Sequence, residues 1–257
     1  MISGAFQDNE GHLGLEVLID TIKSPSTFYS FSNSLEISLK TSLAGAILGG
    51  LFAWALVSGK PGGYFYRFSV ALSSVLAQFG GVMLTFAFLA TFGFNGLVSS
   101  FAAKLSPDSF FAQTGWFYGM TGLSILYTFF QIPLMVLVFL PTLENLKPQW
   151  REASDALGGK VYEYWLRIGI PILSPSFAGA ALLLFVNSFS AYATAAVLIN
   201  LSDFLVPLAI RTALTSEVGV DNAAVAKSLS FLMVVVVVVA MSLYAALRRK
   251  VSKWEQR

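Results

Sequence analysis

The chain has 257 residues, of which 56% are hydrophobic and only 12% are charged. A soluble domain carries about 25% charged residues, so this composition indicates a membrane protein. The sequence contains no cysteine and a single histidine, His12, which excludes disulfides, a thiolate nucleophile, a multi-histidine metal site and any Ser-His-Asp triad that does not use His12.

Five stretches of the sequence are long and apolar enough to cross a bilayer. A span needs about 20 mostly apolar residues, and a helix is the simplest way to satisfy the backbone in hydrocarbon. The predicted spans are 35–57, 68–92, 120–140, 173–199 and 225–247. The sequence therefore predicts an all-α membrane protein, a bundle of five transmembrane helices spanning residues 35–247.

Residues 1–34 form a polar segment ahead of the first predicted span. The segment carries four acidic residues and lacks the basic start and apolar core of a signal peptide. Exporting such a segment without a preceding span is unusual. We therefore expect either that a sixth, amino-terminal helix precedes Met1 in the natural protein or that the protein has a natural five-span form, and the sequence leaves both open.

Basic residues concentrate on one side of the membrane if the five spans alternate. These residues are Lys60, Arg67, Lys147, Arg151, Lys160, Arg167, Arg248, Arg249, Lys250, Lys253 and Arg257. Lys and Arg accumulate in cytoplasmic connections. We therefore expect the connection 142–171 and the basic tail 248–257 to be cytoplasmic, and residues 1–34 to be extracytoplasmic.

Small and polar residues recur at helical spacing within the spans. Gly45, Gly49 and Ala53 repeat every four residues, which predicts a close approach of two helix backbones. Polar residues at this depth either join helices through hydrogen bonds or line a solute pathway, although a hydroxyl often bonds only the i−4 carbonyl of its own helix. The predicted pathway residues are Gln78, Gln131, Asn187, Ser190 and Thr194.

The connection 142–171 contains the stretch "REASDALGG" and has the features of two short helices. Pro148 suits the first turn of a helix, and Gly158 with Gly159 ends that helix because glycine tolerates the left-handed conformation. A second helix is predicted over 160–168, with Trp165 among the residues that anchor it to the bundle. Pro171 is expected to close the unit before the next span.

This connection resembles the cytoplasmic signature of permease subunits of binding-protein-dependent ABC importers. The signature is Glu-Ala-Ala, three residues, Gly, nine residues, Ile, one residue and Leu-Pro. Glu152, Ala153, Gly158, Ile168 and Pro171 match it, whereas Ser154 replaces the second Ala and Ile170 replaces Leu. The resemblance extends from about residue 33 to the tail, and it is strongest to the spermidine/putrescine-type permeases.

The resemblance implies a permease subunit that forms half of the pathway of an ATP-driven importer in the bacterial cytoplasmic (inner) membrane. It implies a coupling loop that docks on a separate ATPase, with the coupling residues Glu152, Ala153, Ser154, Asp155, Gly158, Ile168 and Pro171. The other implied partners are a second permease, expected to be a paralogue, an extracytoplasmic solute-binding protein and the lipid bilayer, with no nucleic acid.

The chain lacks a Gly-x-x-x-x-Gly-Lys-Ser/Thr phosphate loop. We therefore expect it to be a transport subunit rather than an enzyme, with no cofactor of its own and with ATP and Mg²⁺ on the partner ATPase subunits. The resemblance favours a small polar or charged solute such as a polyamine, with aminoalkylphosphonate, ferric iron or sugar as alternatives.

Three other readings compete with the importer. A membrane-embedded enzyme would need a nucleophile or metal with a base at membrane depth, and the spans show none. An ion-gradient-driven secondary transporter would be expected to have interrupted helices and buried carboxylates, and the sequence shows neither. Helices of 142–171 that rest on lipid headgroups would need a basic face, whereas the charges of this connection are balanced.

Overall fold

The computed structural model describes residues 16–59, 62–106, 109–199, 205–215 and 222–255, and the regular structure of these residues is helical. The α-helices are α1 Glu16–Lys23, α2 Pro25–Ser58, α3 Tyr64–Gln78, α4 Gly81–Phe92, α5 Leu97–Leu105, α6 Met120–Glu144, α7 Pro148–Ala156, α8 Val161–Tyr164, α9 Ile170–Phe189, α10 Ala193–Leu198, α11 Val206–Thr215 and α12 Asn222–Glu255. A 3₁₀ turn covers Thr114–Trp116, and a π turn covers Trp165–Gly169.

Five helical stretches of the described chain are long and apolar enough to cross a membrane. They are Pro25–Ser58, Gly81–Leu105, Met120–Glu144, Val161–Phe189 and Ala223–Ala246. The predicted all-α membrane fold is confirmed. The short helices α5 and α11 lie between predicted spans.

The first span begins earlier than hydropathy indicates. Helix α2 starts at Pro25, ten residues before the predicted start, because its polar residues face protein. Thr27, Ser30 and Ser34 are buried, and the Ser34 hydroxyl oxygen accepts a hydrogen bond from the Val206 backbone N–H at 2.9 Å. A hydropathy window cannot register a helix turn whose polar side chains are satisfied within the fold.

The predicted second span, 68–92, is wrong as a single helix. Helix α3 ends at Gln78, and α4 begins at Gly81, which has a φ of 66°. This left-handed conformation costs glycine little, so the helix is interrupted inside an apolar run. Gln78 and Thr85 therefore lie on different helices, and the expectation of uninterrupted spans is wrong at this point.

The predicted fourth span, 173–199, is also interrupted. Helix α9 ends at Phe189 and α10 begins at Ala193. The Ser190 N–H still donates to the Val186 carbonyl at 3.0 Å, but the Ala191 N–H donates to the Ser188 carbonyl, three residues back, at 3.2 Å, so the α-helical bonding pattern ends here. Thr194 consequently lies on a separate short helix rather than on the face that carries Asn187.

The described helices belong to two compact units. Unit 1 comprises residues 1–40, 80–126 and 186–240, and unit 2 comprises residues 41–79, 127–185 and 241–257. Unit 1 contains a cluster of aromatic rings from α4 and the segment that follows α5. Phe94 stacks on Tyr118 with ring centroids 4.4 Å apart, and Phe110 stacks on Trp116 at 5.0 Å.

Unit 2 is built on a close contact between α2 and α6. A Cβ on Gly45 would lie 2.6 Å from the Gln131 Cβ, and a Cβ on Gly49 would lie 2.6 Å from the Ile132 carbonyl oxygen. Ala53 continues the stripe and is completely buried. The predicted close approach along this small-residue stripe is confirmed.

A polar contact joins α3 to the end of α6 in the same unit. The Tyr66 hydroxyl donates a hydrogen bond to Glu144 Oε1. This hydrogen bond, with lesser contributions from partial desolvation and from the negative charge of Glu144, raises the pKa of Tyr66 to about 12 from its usual value of 10.0. The contact lies three residues before Lys147, where the chain enters α7.

Replacing Gly49 by leucine should destabilise the protein, since the new side chain would collide with α6 backbone that cannot yield easily. Overpacking of this kind costs about 1–3 kcal/mol or more. Thermal unfolding of the purified chain in detergent measures the effect. Gly59→Ala is the control, because a Cβ there meets only ordinary contacts at 3.6 Å. Equal melting temperatures for the two variants would contradict the close contact.

The Tyr66–Glu144 bond predicts a specific alkaline titration. A raised pKa favours the neutral phenol in the folded state. The contribution of the Tyr66–Glu144 bond to folding stability is therefore complete below pH 10 and is lost as the pH rises through about 12. The tyrosinate absorbance of the wild type minus that of Tyr66→Phe should titrate near 12, and in a Glu144→Gln background it should move toward 10. An unchanged midpoint in that background would contradict the assigned cause.

Candidate functional site

The connection between α6 and α9 begins with a helix that has no buried residue. Helix α7 runs from Pro148 to Ala156 with proline in its first turn, as the sequence predicts. Proline fits this position because the missing N–H would have no partner there anyway. The Lys147 ammonium sits 5.9 Å from the centroid of the Trp150 ring, a cation–π contact at the entry to the helix.

Paired glycines end α7, which confirms the predicted stop. Gly158 has a φ of 76°, a conformation that L side chains rarely adopt. The Gly158 N–H donates to the Asp155 carbonyl at 3.0 Å, and the Gly159 N–H donates to the Ser154 carbonyl at 2.9 Å. These bonds satisfy the last carbonyls of α7 and fix the turn.

The second helix starts where predicted but does not end there. The Glu163 carboxylate accepts a hydrogen bond from the Lys160 backbone N–H at 3.0 Å, which caps α8. The helical path then continues through the π turn into α9, so the expectation that Pro171 closes the unit is wrong. Proline crowds the carbonyl four residues earlier, and the wider π turn, in which the Ile170 N–H donates to the Trp165 carbonyl, carries the helix past it.

Aromatic side chains fix this second helix to the rest of unit 2. Tyr164 is buried, and Trp165 packs edge-to-face against Trp54 of α2 with ring centroids 6.0 Å apart. Gly169 leaves room for the Trp165 ring, since a Cβ there would lie 2.6 Å from it. The prediction that Trp165 anchors the second helix is confirmed by these contacts.

A groove of about 460 Å³ lies between α7 and the start of α9. One wall is formed by Trp150, Ala153, Ser154 and Leu157. The opposite wall is formed by Glu163, Arg167, Ile168 and Ile172, and the floor by Gly158 and Gly159. We refer to this feature as the coupling groove.

The predicted coupling residues divide between the groove and the outer surface. Ala153, Ser154, Gly158 and Ile168 line the coupling groove. Glu152, Asp155 and Pro171 are exposed outside it. The structure thus brings four of the residues together, while the carboxylates of α7 form a separate exposed surface.

Sequence reasoning missed Leu157. It is 89% exposed and lines the coupling groove next to the turn at the two glycines. The only sequence signal is its place directly before the paired glycines, where a helix ends and no packing partner follows. An exposed leucine at this position offers an apolar contact to another molecule.

The predicted pathway residues divide between the two units. Gln78 and Gln131 belong to unit 2, whereas Asn187, Ser190 and Thr194 belong to unit 1. Gln78, Asn187 and Ser190 are exposed, and Thr194 is buried. Gln131 is fully buried, and its amide donates to the Thr41 hydroxyl at 3.1 Å. The contacts of Gln131 are those of a residue that joins helices.

Several membrane-depth hydroxyls bond their own helix, as expected. Ser74 donates to the Val70 carbonyl, and Ser124 donates to the Met120 carbonyl. Thr85, Thr91, Thr212 and Ser230 make the same i−4 bond. These bonds satisfy the hydroxyls without any solute.

Three permease proteins of known transport systems are similar to parts of the chain in sequence. The chain is 25% identical over 174 residues to the sulfate transport system permease protein of Escherichia coli, a match that covers 67% of this chain and 59% of that protein. It is 28% identical over 106 residues to a ferric transport system permease protein of Haemophilus influenzae, covering 41% of this chain and 16% of that protein. The thiamine transport system permease protein of Escherichia coli is 24% identical over 113 residues, covering 44% of this chain and 20% of that protein.

A solved structure shares the fold. The crystal structure of a bacterial ABC transporter involved in the import of the acidic polysaccharide alginate superposes with a TM-score of 0.71 at 14% identity, covering 98% of this chain and 88% of that one. A second structure of an alginate transporter, in complex with an alginate pentasaccharide-bound periplasmic protein, also gives a TM-score of 0.71, at 16% identity over 97% of this chain and 86% of that one.

The family comparison extends over most of the sequence. Residues 42–253 match the binding-protein-dependent transport system inner membrane component family. This range includes α7, the coupling groove and four of the five candidate spans in full. The chain therefore belongs to the family of inner membrane permease components of binding-protein-dependent transport systems.

Proposed function

We propose that the chain forms half of the solute pathway of an ATP-driven importer and couples to a separate ATPase through residues 152–171. The observation that carries the proposal is the combination of an exposed α7 with a firmly anchored α8. Helix α7 has no buried residue, whereas Trp165, which directly follows α8, packs on Trp54 and against the hydrophobic core of unit 2. Such a loop suits a partner that applies force from outside the bundle.

The path for this force follows the helical backbone. The stretch Val161–Phe189 is helical throughout and also qualifies as a membrane span. A displacement of α8 would therefore move α9 without an intervening hinge. The Trp54–Trp165 contact would pass part of the same displacement to α2, which carries the small-residue stripe against α6.

The remaining parts of the proposal follow from the family. ATP and Mg²⁺ would bind the partner ATPase subunits, because this chain lacks a phosphate loop. A second permease, expected to be a paralogue, would complete the pathway, and an extracytoplasmic binding protein would deliver the solute. The coupling loop and the carboxyl terminus would face the cytoplasm, as the distribution of basic residues indicates.

The proposal on substrate is limited to a small polar or charged solute. The sulfate, ferric and thiamine permeases that resemble the chain do not support the prediction of a polyamine. Their range suggests that solute identity rests largely with the binding protein. The ligand of the cognate binding protein, measured by calorimetric titration with polyamine and with sulfate, would decide between a cation and an anion.

The Glu152→Lys variant tests the coupling role. The wild-type chain, purified from its native membrane in mild detergent, should bring with it a second polytopic subunit and an ATPase that contains a phosphate loop. Glu152 is exposed on α7, so the reversed charge should release the ATPase, or abolish ATP-driven transport, while the permease still folds.

Lys160→Glu is the matched charge reversal outside α7, and we expect it to retain more of the ATPase than Glu152→Lys. Mass spectrometry of the co-purified subunits and uptake by reconstituted vesicles give the two readouts. A wild-type chain that purifies alone, or a Glu152→Lys variant with wild-type transport, would contradict the proposed coupling.

Asn187 tests the pathway prediction. It is exposed near the end of α9, so Asn187→Ala should alter the transport rate while the complex assembles normally. Ser190→Ala serves as the comparison, since the Ser190 hydroxyl is already bonded to its own helix, and this variant should change transport less. If Asn187→Ala only lowers the amount of protein in the membrane, Asn187 has a packing role.

A further inference from the structure

We propose that the coupling groove receives a large apolar side chain of the ATPase. The permease loop would then accept a residue of the ATPase in addition to docking its own residues on that subunit. This inference rests on the proposed function and adds the chemistry of the contact. It concerns the wall formed by Ala153 and Leu157, the opposite wall formed by Ile168 and Ile172, and the two glycines between them.

Helix α7 is too short and too exposed to be stable alone. It has nine residues and none of them is buried, whereas isolated helices shorter than about 12–15 residues are marginal in water. Its position is held by the turn at Gly158 and by a limited contact with α8. A partner that contacts both α7 and the start of α9 would supply the missing burial.

The lining of the groove favours an apolar side chain as its occupant. Leu157 and Ile172 expose apolar surface on opposite walls, and Ala153 is small enough to leave the space between them open. The only charged groups in the lining are Glu163 and Arg167, which lie 3.9 Å apart and offset each other. The Glu163 carboxylate also accepts a hydrogen bond from the Lys160 backbone N–H. No unpaired charge in the lining therefore favours a charged side chain.

The volume of the groove accommodates a large side chain. At about 460 Å³ it lies in the lower part of the range of small-molecule sites, roughly 300–1,000 Å³. Apolar and aromatic anchors that fill such clefts contribute much of the binding energy of protein interfaces.

The glycine floor keeps the groove open. A Cβ on Gly159 would lie 2.7 Å from the Ser154 hydroxyl oxygen and 2.9 Å from its carbonyl oxygen. Any side chain at this position would therefore force α7 away from the turn. The absence of a side chain at Gly158 and Gly159 thus sets both the depth of the groove and the distance between its walls.

The charges around the groove favour a protein over lipid. Arg151, Glu152 and Asp155 are exposed on α7, and this mixture has no excess of positive charge. Lipid surfaces of the cytoplasmic leaflet are anionic and attract clusters of basic residues. A soluble protein that presents an apolar residue among charges of both signs matches this surface better.

Two leucine substitutions on α7 test the inference. Ala153→Leu fills the groove, whereas Ala156→Leu adds the same bulk to an exposed position outside it. Each variant is purified as the full-length chain from its native membrane, and the amount of co-purified phosphate-loop ATPase is measured. This amount should be about tenfold lower for Ala153→Leu than for Ala156→Leu, because blocking an anchor site weakens an interface on this scale. Both variants should keep the wild-type melting temperature and the second polytopic subunit.

Equal ATPase retention by the two variants would overturn the inference. If Glu152→Lys releases the ATPase while Ala153→Leu and Ala156→Leu both retain it, the proposed function stands and the occupied groove does not. If the wild type retains no ATPase, the proposed function fails as well.

Photo-crosslinking identifies the side chain that occupies the groove. Because the sequence contains no cysteine, an Arg167→Cys variant carries a benzophenone maleimide only at the edge of the groove, and Arg151→Cys carries it on α7 outside the groove. The groove probe should attach to an apolar residue of the ATPase, and the outer probe should not reach that residue. Attachment of the groove probe to lipid or to the chain's own tail would overturn the inference.

Discussion

A helix that crosses hydrocarbon must satisfy its own backbone hydrogen bonds, and this constraint governs where the chain can bend. The described spans are long and mostly continuous, and the exceptions have local causes. Between α3 and α4, Gly81 adopts a φ of 66°, and after Phe189 the Ala191 N–H bonds the Ser188 carbonyl, three residues back, in place of the α-helical partner. The first interruption thus occurs at a residue type that reduces the cost of leaving the helix.

The hydrocarbon surroundings of the helices also explain how α2 and α6 pack. Hydrophobic burial gives little advantage between helices in lipid, so close van der Waals contact must supply the attraction. Gly45 and Gly49 bring the two backbones together, and the amide of Gln131 reaches Thr41 across that contact. Gln131 is therefore better explained as a polar link between closely packed helices than as an isolated polar residue at membrane depth.

The sequence predicted features that depend on local chemistry and missed those that depend on tertiary context. Pro148 and Gly158 mark the ends of α7 because their backbone preferences act wherever they occur. The interruption at Gly81 lies inside an apolar run, and hydropathy carries no information on backbone direction. The early start of α2 was hidden because Ser34 finds its partner, Val206, 172 residues away. The groove was equally hidden, because its walls come from two helices whose spacing is set by the turn at Gly158 and Gly159.

The position of that turn bears on how the loop could transmit force. No break separates α8 from α9, because the π turn carries the helix past Pro171. The joint lies instead between α7 and α8, at the two glycines, where backbone hydrogen bonds and a limited contact hold α7 in place. A partner that held α7 alone would load this turn, and part of the displacement would be lost there. A partner that also filled the groove would bear on Ile168 and Ile172 directly and would move α7 and α9 as one body. In the proposed importer, occupation of the groove is thus what makes a loop with a glycine joint stiff enough to transmit force.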